Sequence, residues 1–368
     1  MVGVEKLSLQ AFRKRVVAGS FSLYSDLNTA LRGMQFVQAD PIRCPARAQD
    51  LILRQRVQDY RAGDLERLFP DMAAEEGYLF AYGFMVPELW RNLRGRSLAK
   101  LSKLETAVLN AVRELGEVHP RDLDERFGRK SVRNYWGGKS KETKRVLDSL
   151  HDSGLLRVSR RENGVRVYQV PFLDDEKELL NVERYKNLAI ATAHVFGPTS
   201  TRFLLTELGY HRWLLPDRKD RLAAVKSLIE DGSLQEVVVE GVAYLWIRED
   251  WLVTDHPDRV RILAPFDPLV RNRNRFEQLW GWTYRFEAYV PASKRERGYY
   301  AMPVLWKGQV IGWANAKVDS GRLDTEFGYA GKRPKGKAYR VAAEKEVEAM
   351  AVFLGLESGS WEISHTDG

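Results

Sequence analysis

The stretch KSKETKRVLDSLHDSGLLRVSRRENGVRVYQV, residues 139–170, decides which fold we expect. Its first half is polar except for an apolar face that runs from Val146 to Leu150 at helical spacing. Its second half alternates in character on both sides of Asn163-Gly164, a pair that supplies the positive φ of a tight hairpin turn. A helix that leads into such a hairpin is typical of the second half of a winged helix.

The sequence on either side extends this pattern. Upstream, apolar residues recur at helical spacing from Leu104 to Leu115, and HPRDLDERFG (119–128) predicts a short second helix. Downstream, TSTRFLLTELG and KDRLAAVKSLIEDG predict helices, and LQEVVVEGVAYLWI predicts a second hairpin that turns near Glu240-Gly241. The first hundred residues also begin with two helix-like stretches. The repetition is one of pattern and predicts tandem modules, of which the first is the least regular.

The C-terminal part has a different character, and it completes the predicted fold class. From Val260 to about Val318 the chain is rich in aromatic residues and valine, and it alternates around Lys307-Gly308, which predicts a small antiparallel sheet or barrel. KAYRVAAEKEVEAMAVFLG then predicts a terminal amphipathic helix. We expect an α+β protein with tandem winged-helix (helix-turn-helix plus β-hairpin) modules and a C-terminal antiparallel β domain. The predicted modules are residues 1–100, where the candidate catalytic residues discussed below lie, 101–180, 181–255 and 256–368.

Composition excludes several classes of protein. The 368 residues are 44% hydrophobic, which argues against intrinsic disorder, and no apolar run approaches the length of a membrane span. Cys44 is the single cysteine, so an intramolecular disulfide and a cysteine-rich zinc site are excluded. His151, His194 and His211 lack ligand or triad spacing and are interpreted as ordinary hydrogen-bonded histidines. With no export signal visible, we expect a cytoplasmic protein.

The net charge of +8 is concentrated in one stretch. Residues 126–166 contain twelve Lys or Arg and four Asp or Glu, so this stretch alone accounts for +8 and the rest sums to zero. Such clustering favours a surface that binds a polyanion over a solvated face, although the latter remains the alternative. The predicted phosphate contacts at the third helix and the hairpin of this module are Arg133, Lys139, Lys141, Lys144, Arg145, Arg160 and Arg161.

The candidate chemistry lies in the first module. Gln38 and Asp40 are two residues apart, and in an extended segment such residues point to the same side. An amide and a carboxylate there are suited to orient a water and stabilise an oxocarbenium-like state. The alternative is structural: an Asp that caps a helix after Pro41, and a Gln that bonds the backbone. Nearby arginines are either phosphate contacts, or parts of a solvated helix face or of local salt bridges; they are Arg43, Arg47 and Arg54.

These stretches together resemble the winged-helix DNA glycosylases of the YcaQ/AlkZ type, bacterial enzymes that excise bulky N-alkylated purines and unhook interstrand crosslinks. QADPIRCPARAQDLILRQRV (38–57) resembles the catalytic segment of that family, and the stretch from 135 to 170 resembles its second winged helix. The most specific likeness is RILAPFDPLVRNRNRFEQLWGWTYRFEAYVPASKRERGYYAMPVLWKGQVIGWANAKVD, residues 261–319. The resemblance covers roughly residues 7 to 355.

The resemblance implies roles for particular residues. Gln38 would position the water, Asp40 would activate it or stabilise the sugar cation, and Arg47 matches the arginine of the pattern. It implies a monomeric, nucleoid-associated enzyme that acts on double-stranded DNA without a metal or cofactor. One departure stands in YLFAYGFMVPELW (78–90), where Ala81-Tyr82 occupy the place of the family's histidine.

Two alternatives to an enzyme remain open at the level of sequence. A non-enzymatic winged-helix regulator or architectural protein would bind duplex DNA with the same steep salt dependence. A protein that sequesters small alkylating agents would instead need a buried apolar pocket away from the basic surface.

Overall fold

A computed structural model describes residues 4–95, 101–128, 131–133, 139–171, 179–247 and 259–366, of which 131–133 and 139–140 are described as backbone alone. In these ranges the α-helices are α1 (Leu9–Gly19), α2 (Leu27–Met34), α3 (Ala48–Leu53), α4 (Asp64–Leu68), α5 (Pro87–Arg91), α6 (Lys103–Leu115), α7 (Asp124–Phe127), α8 (Glu142–Asp152), α9 (Asn181–Phe196), α10 (Thr201–Glu207), α11 (Arg218–Glu230), α12 (Pro268–Arg271), α13 (Arg273–Trp280) and α14 (Lys337–Phe353). The strands are β1 (Glu5–Leu7), β2 (Phe36–Gln38), β3 (Glu75–Tyr78), β4 (Tyr82–Met85), β5 (Glu117–Val118), β6 (Ser131–Arg133), β7 (Lys139–Lys141), β8 (Arg157–Glu162), β9 (Val165–Gln169), β10 (Gln235–Val239), β11 (Val242–Trp246), β12 (Arg261–Ile262), β13 (Met302–Trp306), β14 (Gln309–Asp319), β15 (Arg322–Tyr329) and β16 (Trp361–His365).

The basic module has the predicted order of three helices and a hairpin. A capping box between Ser102 and Glu105 begins α6, and α7 and α8 follow it. The hairpin β8–β9 turns at Asn163 and Gly164, with φ of 49° and 79°, and joins β5 in an antiparallel sheet of order β5-β9-β8. The third helix is shorter than its sequence pattern suggests. It begins at Glu142, because the preceding lysines pair as strand β7 with β6.

The third module repeats this order with one addition from far away in the chain. Helices α9, α10 and α11 precede the hairpin β10–β11, which turns at Glu240 and Gly241 as predicted. The N-terminal strand β1 pairs in parallel with β10, with Glu5 opposite Val237, and makes a third strand of this sheet. Sequence patterns did not predict this pairing, which links the N-terminus to the third module.

The C-terminal sheet is mostly antiparallel, as expected. Its five strands have the order β12-β13-β14-β15-β16, and the β13–β14 turn falls at Lys307-Gly308 as predicted. The last strand differs, because β16 pairs with β15 in parallel. The connection explains it: the predicted terminal helix, α14, crosses over between the two strands.

The modules share a core. One cluster of buried apolar residues extends from Leu27 through Val108 and Leu188 to Phe353, so it draws on all four predicted modules. The division into four modules therefore stays a prediction, and its boundary at residue 100 falls outside the described residues. In the ranges described, none of the helices combines the length and the apolar character needed to cross a membrane.

Candidate active site and nucleic-acid interface

Gln38 ends the edge strand of a small sheet whose order is β2-β4-β3. Phe36 and Val37, which precede it, are almost fully buried and fix the strand against the core. Opposite Gln38 stands Gly83, where a Cβ atom would collide with the carbonyl of Val37. A glycine at this position lets the two strands approach closely. Gln38 itself is 8% exposed, so its amide is held within the protein rather than displayed on the surface.

The carbonyl of the Gln38 side chain accepts a hydrogen bond from an arginine far along the chain. Nη1 of Arg271, at the end of α12, lies 2.9 Å from Oε1 of Gln38. Arg271 is in turn bound by Glu207 at the end of α10, whose Oε2 lies 2.8 Å from Nη2 and 3.1 Å from Nε. The structural alternative predicted a Gln38 that bonds the backbone. The Gln38 amide instead bonds a side chain. Its contacts run through Arg271 to Glu207 and so join three of the predicted modules.

Asp40 lies in a turn just beyond β2. Its Oδ1 accepts a hydrogen bond of 2.9 Å from the backbone N–H of Ile42, and its own N–H donates to Oε1 of Gln49 over 3.3 Å. No helix follows Pro41 directly, since α3 begins only at Ala48. Asp40 therefore closes a turn instead of capping a helix. Partial burial raises the pKa of Asp40, because desolvation disfavours the carboxylate more than the hydrogen bond from Ile42 favours it.

A cavity of about 610 Å³ adjoins the Asp40 segment. Cys44 and Tyr300 line it together with residues of β14 and β15. Burial, and next the charge of Asp40, raise the pKa of Tyr300. The Tyr300 hydroxyl is buried, and within the described ranges nothing forms a hydrogen bond with it. The Tyr300 hydroxyl, which has no hydrogen-bond partner among the described residues, is thus close enough to Asp40 to interact with its charge.

The three arginines predicted as phosphate contacts in the first module differ in environment. Arg43 is exposed. Arg47 flanks the start of α3 and forms an ion pair with Glu66. The side chain of Arg54 is only 4% exposed, and its Nη1 lies 2.8 Å from Oε1 of Glu346. Its location speaks against direct contact between Arg54 and a phosphate, because such contact would require a buried ion pair to break.

Most cations predicted on the basic module have acidic partners, some of them from outside the stretch that carries the net charge. Arg160 pairs with Glu117 and Glu162, Lys141 pairs with Asp124, and Lys144 lies 2.8 Å from Asp148. Arg145 is exposed on α8. The side chains of Arg133 and Lys139 lie outside the described residues. Counting charges along the sequence therefore overstates the positive charge of this surface, because compensating acids such as Glu117 and Asp124 come from elsewhere.

The hairpin of the basic module is fixed to the sheet of order β2-β4-β3 by a buried ionic network. Glu76 on β3 is fully buried, and its two oxygens accept hydrogen bonds from Arg161 and from the hydroxyl of Tyr82. The guanidinium of Arg166 lies 4.1 Å from the centre of the Tyr82 ring. Burial alone would raise the pKa of Glu76, but the hydrogen bonds and charge of Arg161 bring it below its ordinary value. Tyr82, which stands at the departure from the family pattern, is thus part of this contact.

The three histidines each bind a main-chain carbonyl of the first module. Their Nε2 atoms lie 3.0 Å from the oxygen of Glu76 (His151), 2.7 Å from that of Gly33 (His194) and 2.6 Å from that of Leu79 (His211). Within the described part of the chain, no group of three or more His, Cys, Asp or Glu side chains is arranged to hold a metal. Metal-free chemistry stays a prediction.

Several residues near the site were not predicted from the sequence. Arg271 and Glu207 lie 233 and 169 positions from Gln38, too far for any local pattern. The loop before Tyr300 was missed as well, although it exposes Tyr289 and Lys294. Its signal, an exposed aromatic beside basic residues, is a known feature of nucleic-acid surfaces.

Together these features define the class of protein. The chain combines helix–hairpin modules with an amide and a half-buried carboxylate, and the model of the family described as "DNA glycosylase AlkZ-like" matches residues 31–353. The chain belongs to this family, and it is a DNA glycosylase, a hydrolase of N-glycosyl bonds in DNA. The resemblance deduced from the sequence is thereby confirmed. The alternative of a non-enzymatic DNA-binding protein is disfavoured.

One solved structure of similar fold is the DNA glycosylase AlkZ of Streptomyces sahachiroi. It matches with a TM-score of 0.63 and 16% sequence identity, over 97% of this chain and 100% of that chain. At this identity the likeness establishes the fold, which agrees with the predicted α+β class.

Proposed function

We propose that Gln38 and Asp40 hydrolyse the N-glycosidic bond of bulky N-alkylated purines in duplex DNA, including purines joined in interstrand crosslinks. The observation that carries the proposal is the half-buried Asp40 carboxylate beyond a Gln38 amide that is locked by Arg271. A carboxylate that has lost part of its hydration is a stronger base and a stronger partner for a nearby cation.

The chemistry follows from the charge of the substrate. N-alkylation leaves the purine cationic, so it departs as a neutral base and needs no general acid. The anomeric carbon then gains positive charge, which the Asp40 carboxylate stabilises while it accepts a proton from the attacking water. Gln38 holds that water through its amide. A cationic base that leaves readily does not require complete extrusion into a tight pocket, which suits a bulky or crosslinked lesion.

The DNA path we propose joins two modules. Exposed Arg43 lies three residues beyond Asp40, and Lys144 and Arg145 lie on α8 of the basic module. Contact with both would bring the duplex across the catalytic turn. Arg133, Lys139 and Lys141 precede α8 in sequence and remain predicted phosphate contacts. We further propose that the protein acts as a monomer on chromosomal DNA.

The decisive experiment compares Asp40→Asn with wild type on a duplex that carries a single bulky N7-alkylguanine. We expect release of the base to fall by a factor of about 10³ or more, because the variant lacks the base and the negative charge together. We expect the Kd for the same duplex to stay within about twofold, since the overall phosphate contacts remain.

The matched control is Asp59→Asn, which makes the same change at an exposed position. Asp59 has a φ of 53°, a conformation that asparagine also tolerates. Release at the wild-type rate by Asp40→Asn would refute the assignment. A crosslinked duplex in parallel reactions tests the wider substrate range, and its persistence with wild type would restrict the proposal to monoadducts.

A further inference from the structure

We infer that Arg271 is a positioning residue for Gln38, and that Glu207 holds Arg271 in place for that task. The inference rests on the proposed catalytic role of Gln38 and deepens it. Arg271 fixes which end of the amide faces the reacting centre, and it does so without adding net charge there.

The orientation of the amide follows from the chemistry of arginine. A guanidinium has donors and no acceptor, so the atom of Gln38 that lies 2.9 Å from Nη1 must be the carbonyl oxygen. The amide nitrogen is then directed away from Arg271. Within the described ranges, no residue accepts a hydrogen bond from that nitrogen. Gln38 therefore offers N–H donors to a lone pair of the water, which leaves the protons of the water for Asp40.

The contacts around Arg271 restrict its movement. Nε and Nη2 both donate to Oε2 of Glu207, and the guanidinium carbon lies 4.9 Å from the centre of the Phe80 ring. The Phe80 ring is packed in turn against Phe36 and Phe196, with ring centres 4.7 and 4.5 Å apart. A guanidinium held by an ion pair and an aromatic face is confined to one rotamer. Gln38 is thus supported by a rigid group rather than by solvent.

The ion pair of Arg271 with Glu207 also limits the net positive charge near the reacting centre. A lone guanidinium near a sugar that becomes cationic would oppose the reaction, because like charges repel strongly where water is partly excluded. Glu207 neutralises Arg271 at a distance of 2.8 Å. The side chains of both residues are mostly buried, with 22% and 12% exposed, so solvent screens the pair only in part. The pair supplies a strong hydrogen bond to Gln38 while the net charge stays close to zero.

The test is single-turnover excision of N7-alkylguanine from a duplex with protein in excess, so that the rate constant reports chemistry. We expect Arg271→Met to lower this rate constant about 10- to 100-fold, the usual effect of a misplaced catalytic group. The Kd for the duplex should stay within about twofold. Arg271→Lys, which retains a cationic donor, should restore part of the rate. The control Arg202→Met removes an exposed arginine from α10 and should leave the rate unchanged.

A double variant separates positioning from a general structural effect. If Arg271 acts only through Gln38, then Gln38→Ala/Arg271→Met will be no slower than Gln38→Ala alone. A double variant that is clearly slower, or an Arg271→Met protein that works at the wild-type rate, would overturn the inference. Should Arg271→Met fail to fold, Glu207→Ala is the deciding variant. It removes the acceptor that holds Arg271 and leaves Arg271 charged, so an unchanged rate in that variant would equally overturn the inference.

Failure of the underlying function would have a different signature. Wild-type protein that releases no base, or Gln38→Ala that releases it at the full rate, would refute the proposed catalytic role, and the inference would fall with it. Dependence on Gln38 without dependence on Arg271 would refute the positioning role alone.

Discussion

The proposed catalytic segment around Gln38 and the basic stretch of residues 126–166 gain their properties in opposite ways. The proposed catalytic segment has a weak signal in the sequence, two polar residues in a short tripeptide, and distant residues such as Arg271 and Tyr300 add to it in the folded chain. The basic stretch has a strong signal, a net charge of +8, and distant acids weaken it. Its arginines at 157 and 161 bind Glu75 and Glu76 of the first module.

The difference shows what a charge run in a sequence does and does not predict. A charge count along the sequence includes only the acids within the run, and it misses the acids that distant segments bring close. Once β8 packs near β3, Arg161 serves as a structural contact between modules, and its charge is no longer displayed to a ligand. On α8 itself, Lys144 and Arg145 stay exposed. Three further experiments test this division between structural and displayed charge.

The largest effect is expected at the buried contact between the two regions. Glu76→Gln should lower the free energy of unfolding by about 3–5 kcal/mol, the usual cost of removing one partner from a buried ion pair. The reason is that Arg161 would stay buried opposite a neutral amide that offers it one acceptor instead of two. Chemical denaturation at neutral pH measures the change.

Glu162→Gln is the matched control for this experiment. Glu162 pairs with Arg160 over 2.7 Å at an exposed site, so its loss should cost less than about 1 kcal/mol. If the two variants were equally stable while Glu76→Gln altered DNA affinity, the arginines of the β8–β9 hairpin would be ligand contacts after all, and the comparison would fail.

The sequence predicted those parts of the fold whose cause is local. The hairpin turns at Asn163-Gly164, Glu240-Gly241 and Lys307-Gly308 each have at their second position a glycine, which adopts positive φ without strain. It did not predict the parallel pairings of β1 with β10 and of β15 with β16, because such pairings join strands far apart in the chain and leave no local signal.

The candidate site likewise has a part that the sequence predicted and a part that it did not. Gln38 and Asp40 stand out in the sequence because both occur in one short segment. The relay through Arg271 to Glu207 needs three segments that only the folded chain brings together. Arg54 is a further case, since its neighbours in sequence gave no indication that it would pair with Glu346.

A smaller, pH-dependent effect is expected at His151, which lies between the two regions. Burial, together with repulsion by Arg166, lowers the pKa of His151 to about 4. In the unfolded chain the ordinary value of 6.5 applies, so between these values the unfolded state binds more protons than the folded state. Stability from this group is present above pH 6.5 and is lost as the pH falls towards 4, by up to about 3 kcal/mol.

His151→Gln keeps an N–H donor for the Glu76 carbonyl and removes the titration. Unfolding free energies of both proteins between pH 7 and 4.5 should converge as the pH falls, with the variant showing the flatter profile. His365→Gln, at a less buried histidine, should follow the wild-type profile more closely. Parallel profiles for His151→Gln and wild type would show that the site tolerates an added positive charge.

The smallest effect concerns the cations that remain displayed. Lys144→Ala/Arg145→Ala should leave thermal stability almost unchanged, because Lys144 pairs with Asp148 near the surface, an interaction worth well under about 1 kcal/mol. If the two side chains bind phosphates, the slope of log K against log salt should fall by roughly 0.9 for each phosphate interaction removed.

The control is Arg218→Ala/Lys219→Ala, which removes two exposed charges from the start of α11, the corresponding helix of the third module. A general charge effect would reduce the slope equally in both double variants. If the DNA binds along α8, only Lys144→Ala/Arg145→Ala will have a reduced slope. Equal slopes in the two double variants would mean that the DNA does not pass along α8.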